Sequence, residues 1–157
     1  MEIRAQASDA ADASYAVVVS RYNESITGRL LEGALTTLRR AGVAENQIRV
    51  FWVPGAWELP IVAQSALEAH DAAICLGAVI KGETTHDEHI NRQVSLSLGE
   101  MSLRTGKPIG FGLLTVLSLE QALQRAGGTV GNKGVEATEA AMETLAVLRR
   151  AKRAAES

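Results

Sequence analysis

Cysteine is almost absent from this chain, as are aromatic residues, an excess of charge of either sign, and any long apolar run. The single cysteine, Cys75, stands inside the apolar segment AAICLGAVI, which excludes an intramolecular disulfide and a zinc cluster built on thiolates. It reads as a small buried hydrophobe. Sixteen Lys and Arg face 18 Asp and Glu, a formal charge of −2, so nothing marks a surface for nucleic acid or an anionic membrane. Nowhere do about 18 apolar residues run together, and the opening MEIRAQASDAADASY lacks the apolar stretch of a secretory signal. A cytoplasmic location is the expectation.

What is present suits one globular domain: 157 residues, 46% of them hydrophobic, are enough for a sizeable core. That domain is expected over residues 15–157, behind an Ala/Ser/Asp-rich arm of residues 1–14. The arm shows no core face of its own, which leaves it disordered or ordered by another chain. Four apolar runs, YAVVVS, QIRVFWV, AAICLGAVI and PIGFGLLTV, read as strands buried on both faces, because apolar residues run on rather than alternate. Between the first two, Ile26, Leu30, Leu31, Ala34, Leu35, Leu38 and Ala41 recur at helical spacing, with Gly42 as the stop. This is one βαβ unit.

Further helices are expected from about Glu58 to His70, Thr85 to Thr105, Ser118 to Ala126 and Asn132 to Ala151. Thr85 with Glu88, and Ser118 with Gln121, fit the capping box. The tail RRAKRAAES reads as a solvated, frayed end. The fold class is α/β: a flavodoxin-like three-layer sandwich around a four-stranded parallel sheet, in which ligands collect beyond the carboxyl ends of the strands.

Those ends are richer in chemistry than turns require. The first strand delivers Arg21, Tyr22 and Asn23; the second delivers Pro54, Gly55, Ala56, Trp57 and Glu58; the third runs from Lys81 to His86. Residues 82–85 precede a helix, whose free N–H groups and positive dipole end suit a phosphate. In the first turn, His86 has its cation disfavoured by that dipole, which keeps the imidazole available as a base. Tyr22 and Trp57, two of only six aromatic residues, fall at strand exits, where flat side chains suit a planar heterocycle. Gln121 and Arg125 share a helix face at i, i+4. Lys133 and Gly134, just after the N-cap candidate Asn132, break two local rules together: a cation opposes the dipole and glycine weakens the helix, as functional sites tolerate.

These blocks resemble the 6,7-dimethyl-8-ribityllumazine synthase family of riboflavin biosynthesis, from about Tyr15 to Leu148. The resemblance is carried by SRYNESIT with LLEGA, WVPGAWELP, LGAVIKGETTH, FGLLTV, EQALQRAG and GNKG. It implies a transferase that condenses 5-amino-6-(D-ribitylamino)uracil with 3,4-dihydroxy-2-butanone 4-phosphate, the penultimate step of the pathway, with no metal or organic cofactor. By the same resemblance Tyr22 stacks on the pyrimidine, Ala56, Trp57 and Glu58 bind pyrimidine and ribityl groups, and Ala78, Val79 and Ile80 line the pyrimidine site. Glu83 and Thr84 contact the butanone phosphate, and Arg125 pairs with it. His86 is the general acid/base, Lys133 supports, and Phe111 reaches the pocket from a neighbouring subunit.

The family assembles as pentamers, pairs of pentamers or shells of twelve pentamers. RAGGTVGNKG lacks the insertion of pentamer-only members, so a 60-subunit shell is expected, with the N-terminal arm joining a neighbouring sheet, and a functional link to riboflavin synthase. Three departures stand out: Tyr22 where Phe or Trp is frequent, Trp57 where Phe is usual, and His86-Asp87-Glu88-His89 where the family has an aromatic-rich HF-x-Y. Two other readings compete. A flavodoxin-like mononucleotide carrier would need a hydroxyl-rich loop after the first strand, which Arg21 to Ser25 is not. A catalytically weak lumazine-binding or shell-forming homologue would not need Glu58, His86, Arg125 and Lys133 together.

Overall fold

A computed structural model describes residues 1–82 and 85–157. Four parallel strands, β1 (Tyr15–Ser20), β2 (Ile48–Val53), β3 (Ala72–Ile80) and β4 (Ile109–Val116), form one sheet in the order β2-β1-β3-β4. Register follows the apolar runs, with Val17 beside both Val50 and Ile74, and Ala78 beside Leu114. Alternate residues of β1 serve two cores. Tyr15, Val17 and Val19 join α1 (Glu24–Arg40), α4 (Leu119–Gln124) and α5 (Lys133–Glu156); Ala16 and Val18 join α2 (Leu59–Leu67) and α3 (His86–Thr105). The expected flavodoxin-like sandwich is the observed one.

Burial on both faces holds for the central strands only. Every residue of β1 is buried, whereas β2 leaves Arg49 and Trp52 exposed and β4 leaves Phe111 and Thr115 exposed. Each of those two strands lies at an edge, so one side has no neighbouring strand to shelter it.

Helix ends obey local chemistry with two adjustments. α1 stops where expected, with Gly42 at φ +99 just beyond its last turn. The Ser118 hydroxyl accepts from Gln121 N–H at 3.2 Å, while Gln121 Oε1 accepts from Leu117 N–H at 2.8 Å, a capping box displaced by one residue. Thr85 instead caps α3 through its carbonyl, which accepts from Glu88 N–H at 3.1 Å; its side chain makes no capping bond.

Both chain ends correct the sequence reading. α5 runs to Glu156 rather than fraying, and it is joined to the arm where Arg149 meets Asp12 at 2.9 Å and Arg150 meets Asp9 at 3.0 Å. The arm has a core face after all: a 3₁₀ turn over Ala7–Ala10 packs on α5, Ala10 and Ala13 are buried, and the Tyr15 hydroxyl donates to Ala10 carbonyl at 2.7 Å. Small alanines conceal such a face from a hydrophobicity pattern. The helix expected from Ser118 to Ala126 ends at Gln124, and a tight hairpin of β5 (Ala126–Gly128) and β6 (Gly131–Asn132) follows.

Candidate active site

The direction of the chain reverses at β1: α1 leads outward to β2 on one side, and the next crossover returns to β3 on the other. At such a switch point the carboxyl ends splay and leave a crevice. Main-chain bonds extend the sheet past the end of β1, from Arg21 N–H to Val53 carbonyl at 2.8 Å and from Tyr22 N–H to Pro54 carbonyl at 3.0 Å. Asn23 then turns the chain at φ +61, and its side-chain amide donates to Ala78 carbonyl at 2.9 Å. Three strand exits are thereby held together.

The crevice they form has a volume of about 370 Å³ and brings together Tyr22, Ala56, Trp57, Glu58, Ala78, Val79, Ile80 and His86. Tyr22 is 71% and Trp57 56% exposed, so two aromatic faces are open to a ligand. Glu58 Oε1 accepts from Gly55 N–H at 2.9 Å, which fixes that carboxylate at the rim. His86 is the first residue of α3 and is exposed. Among the described residues lining the crevice there is no Lys or Arg, while Glu58 and Asp87 are both there. Neutral, planar, donor-rich molecules fit this chemistry better than anions do.

Phe111, Arg125 and Lys133 gather elsewhere, in a second concavity of about 430 Å³ beside the free edge of β4. The two concavities share no described lining residue. Arg125 is not on a helix face with Gln121, as the spacing predicts, but caps α4 from outside it. The hairpin carries it back so that its carbonyl accepts from Lys133 N–H at 2.9 Å, setting two cationic residues side by side. Asn132 is the N-cap expected, its Oδ1 accepting from Gly134 and Val135 N–H at 2.8 and 3.2 Å. Gly134 has a packing cause: a Cβ there would lie 2.0 Å from Leu30 carbonyl, where α5 crosses α1. Glu83 and Thr84 lie outside the described residues. Burial pushes the Cys75 thiol up to about 12, so it stays protonated and inert.

A family model described as 6,7-dimethyl-8-ribityllumazine synthase matches residues 12–149. The chain belongs to the 6,7-dimethyl-8-ribityllumazine synthase family. A relative from Rhodopirellula baltica bearing that enzyme's name is 52% identical over 132 residues, which cover 83% of this chain and 85% of that protein. The family, enzyme class and fold expected from the sequence motifs therefore stand. Two residues to which the resemblance assigns no role bear on the crevice: Asp87 lines it, and Asn23 ties the β1 exit to Ala78, one of its lining residues; a non-glycine left-handed position and a buried acid are visible only in three dimensions.

Proposed function

We propose that this member of the lumazine synthase family condenses 5-amino-6-(D-ribitylamino)uracil with 3,4-dihydroxy-2-butanone 4-phosphate, giving 6,7-dimethyl-8-ribityllumazine, phosphate and water. The observation that carries the reading is the division of labour between the two concavities. One offers open aromatic faces, carboxylates and His86 but no described cation; the other offers Arg125 and Lys133. The first suits the pyrimidine and the second the phosphate. Juxtaposed in two copies of the chain, they make one site.

In that site Tyr22 and Trp57 stack on the pyrimidine, Ala78, Val79 and Ile80 line its edge, and Ala56 and Glu58 hold the ring and its polyol. The 5-amino nitrogen attacks the ketone carbon, and water leaves as the imine forms. A proton then leaves the neighbouring chain carbon as the carbon–oxygen bond to phosphate breaks. The enol left by that elimination tautomerises to a methyl ketone, and the 6-amino nitrogen closes on this new carbonyl with loss of a second water. His86 moves protons in these steps, Arg125 clamps the departing phosphate, Glu83 and Thr84 contact it as the family resemblance implies, Lys133 supports the charge, and Phe111 closes the pocket from the neighbouring copy. Holding both reactants in one geometry supplies much of the remaining acceleration.

Self-association is supported by the outer face of α2 and α3, where Ile61, Leu96 and Leu103 are exposed at 72%, 62% and 88%. The assembly read here is a homopentamer built into a 60-subunit shell, since the hairpin joining α4 to α5 is short. Residues 1–3, ahead of Arg4, whose carbonyl accepts from the Arg150 side chain, are the stretch available to extend a neighbour's sheet along β2. None of the described helices is long and apolar enough to cross a membrane. A cytoplasmic location and a functional link to riboflavin synthase belong to the proposal through the family resemblance alone. The test is to mix purified protein with both substrates and follow the lumazine by absorbance. Product above the uncatalysed background is expected, and its absence from folded, assembled protein overturns the proposal.

A further inference from the structure

The side chain of Asn132 joins parts of the chain that are far apart in sequence. Its Oδ1 accepts from Gly134 and Val135 N–H at the start of α5, and its Nδ2 donates to the carbonyl of Arg29 in α1 at 3.2 Å. The same residue pairs with Ala126 across the hairpin, next to the bond from Lys133 N–H to Arg125 carbonyl. The backbone from which Arg125 and Lys133 project is thus fastened to α1 through one amide.

α1 leaves room for that amide. A Cβ at Gly33 would lie 2.6 Å from Asn132 Oδ1 and 2.7 Å from its Cγ and Nδ2. Glycine inside a helix gives up propensity, and Gly33 has no left-handed backbone to justify it, so the space is its use. What it admits is the far end of a side chain. A methyl there pushes the amide away and leaves both helices in place. Neither Gly33 nor Asn132 lines either concavity of the proposed site.

We propose that Asn132, seated against Gly33, is a positioning residue for the phosphate clamp: it fixes the first turn of α5 and the hairpin, and through them Lys133 and Arg125. The inference rests on the condensation proposed above. It concerns the cationic concavity alone, since the crevice of Tyr22, Trp57 and His86 is built on the exits of β1, β2 and β3.

Phosphorus NMR titration of the assembled protein with inorganic phosphate reads the clamp without turnover, and calorimetric titration with the pyrimidine reads the crevice. We expect Asn132→Ala and Gly33→Ala each to weaken phosphate binding and raise KM for the butanone phosphate by about fivefold, the order of one lost cap. Asn132→Ser keeps a capping hydroxyl and stays within about twofold of wild type. The pyrimidine Kd is unchanged in all three. Gly33→Ala keeps its thermal stability near wild type, because propensity gained in α1 offsets the cap. Adding it to Asn132→Ala costs nothing further, since the methyl then meets no amide. Unchanged phosphate affinity in Asn132→Ala and Gly33→Ala overturns the inference, as does an equal loss for phosphate and pyrimidine, which assigns the amide to stability at large. If the wild type binds phosphate but forms no product, and Gly33→Ala loses that phosphate, the condensation falls and Asn132 keeps its role.

Discussion

The side-chain amide of Asn23 donates to the carbonyl of Ala78 across 2.9 Å, tying the exit of β1 to the end of β3 at the point where the sheet reverses its order. The same residue holds φ +61, the left-handed region that Asn tolerates better than most residues. It therefore places Tyr22 on one side and starts α1 on the other.

Replacing Asn23 separates those two contributions. Asn23→Gly keeps the backbone and loses the hydrogen bond, an expected cost of about 1 kcal/mol. Asn23→Ala adds the left-handed penalty of roughly 1–2 kcal/mol. Urea unfolding should rank wild type above Gly above Ala, and pyrimidine KM should rise in both variants as Tyr22 loses its fixed place. Equal stability of the two variants would remove the backbone part of the account.

How far the sequence shows this site depends on what each feature needs. Strand exits and helix starts are local, so Tyr22, Trp57, Glu58 and His86 could be placed at one end of the sheet from apolar runs and capping residues alone. Arg125 could not, because its position depends on a hairpin of three- and two-residue strands that looks like a glycine-terminated helix end. The core face of the arm is hidden for a related reason: Ala10 and Ala13 bury too little area to make an apolar pattern, but they permit close approach to α5.

Gly134 offers a test of packing against propensity. A helix interior favours Ala over Gly by about 1 kcal/mol, yet a Cβ at Gly134 would meet Leu30 carbonyl, a backbone atom that no side-chain rotation can move aside. Gly134→Ala should therefore destabilise by roughly 1–3 kcal/mol, the usual cost of overpacking. Gly28→Ala, in α1 with no atom within 4 Å of the added carbon, should stabilise by about 0.5–1 kcal/mol. Chemical denaturation of the two variants side by side decides the matter; a stabilised Gly134→Ala would mean that α5 can shift away from α1.

Acid should weaken the junction between the arm and β3. Burial alone would raise the Asp71 carboxyl, but Ser14 outweighs it, donating from its N–H at 2.8 Å and its hydroxyl at 3.0 Å with Arg149 and Lys107 adding favourable charge, so the group sits below its ordinary 3.8. A lowered folded value means stability that is fully present above that ordinary value and is lost as pH falls through the folded one. Asp71→Asn should be less stable than wild type at neutral pH, and the gap should close in the acid range below 3.8. A gap independent of pH would show that the charge of Asp71 is irrelevant to the junction.

A site split between two copies predicts rescue between two defective chains. His86→Ala removes the proton carrier of one concavity and should slow turnover on the order of tenfold to a hundredfold, since proximity survives. Arg125→Ala removes the phosphate clamp of the other and should act mainly through the butanone phosphate. When the two variants are co-assembled in equal amounts, a site is intact only if its crevice comes from an Arg125→Ala chain and its cationic patch from a His86→Ala chain, about one in four in a cyclic ring. Turnover near a quarter of wild type is expected from the mixed assembly, well above either variant alone. If mixing gives no more than the average of the two parents, both concavities of a working site belong to one chain, and the division of labour across the interface is wrong.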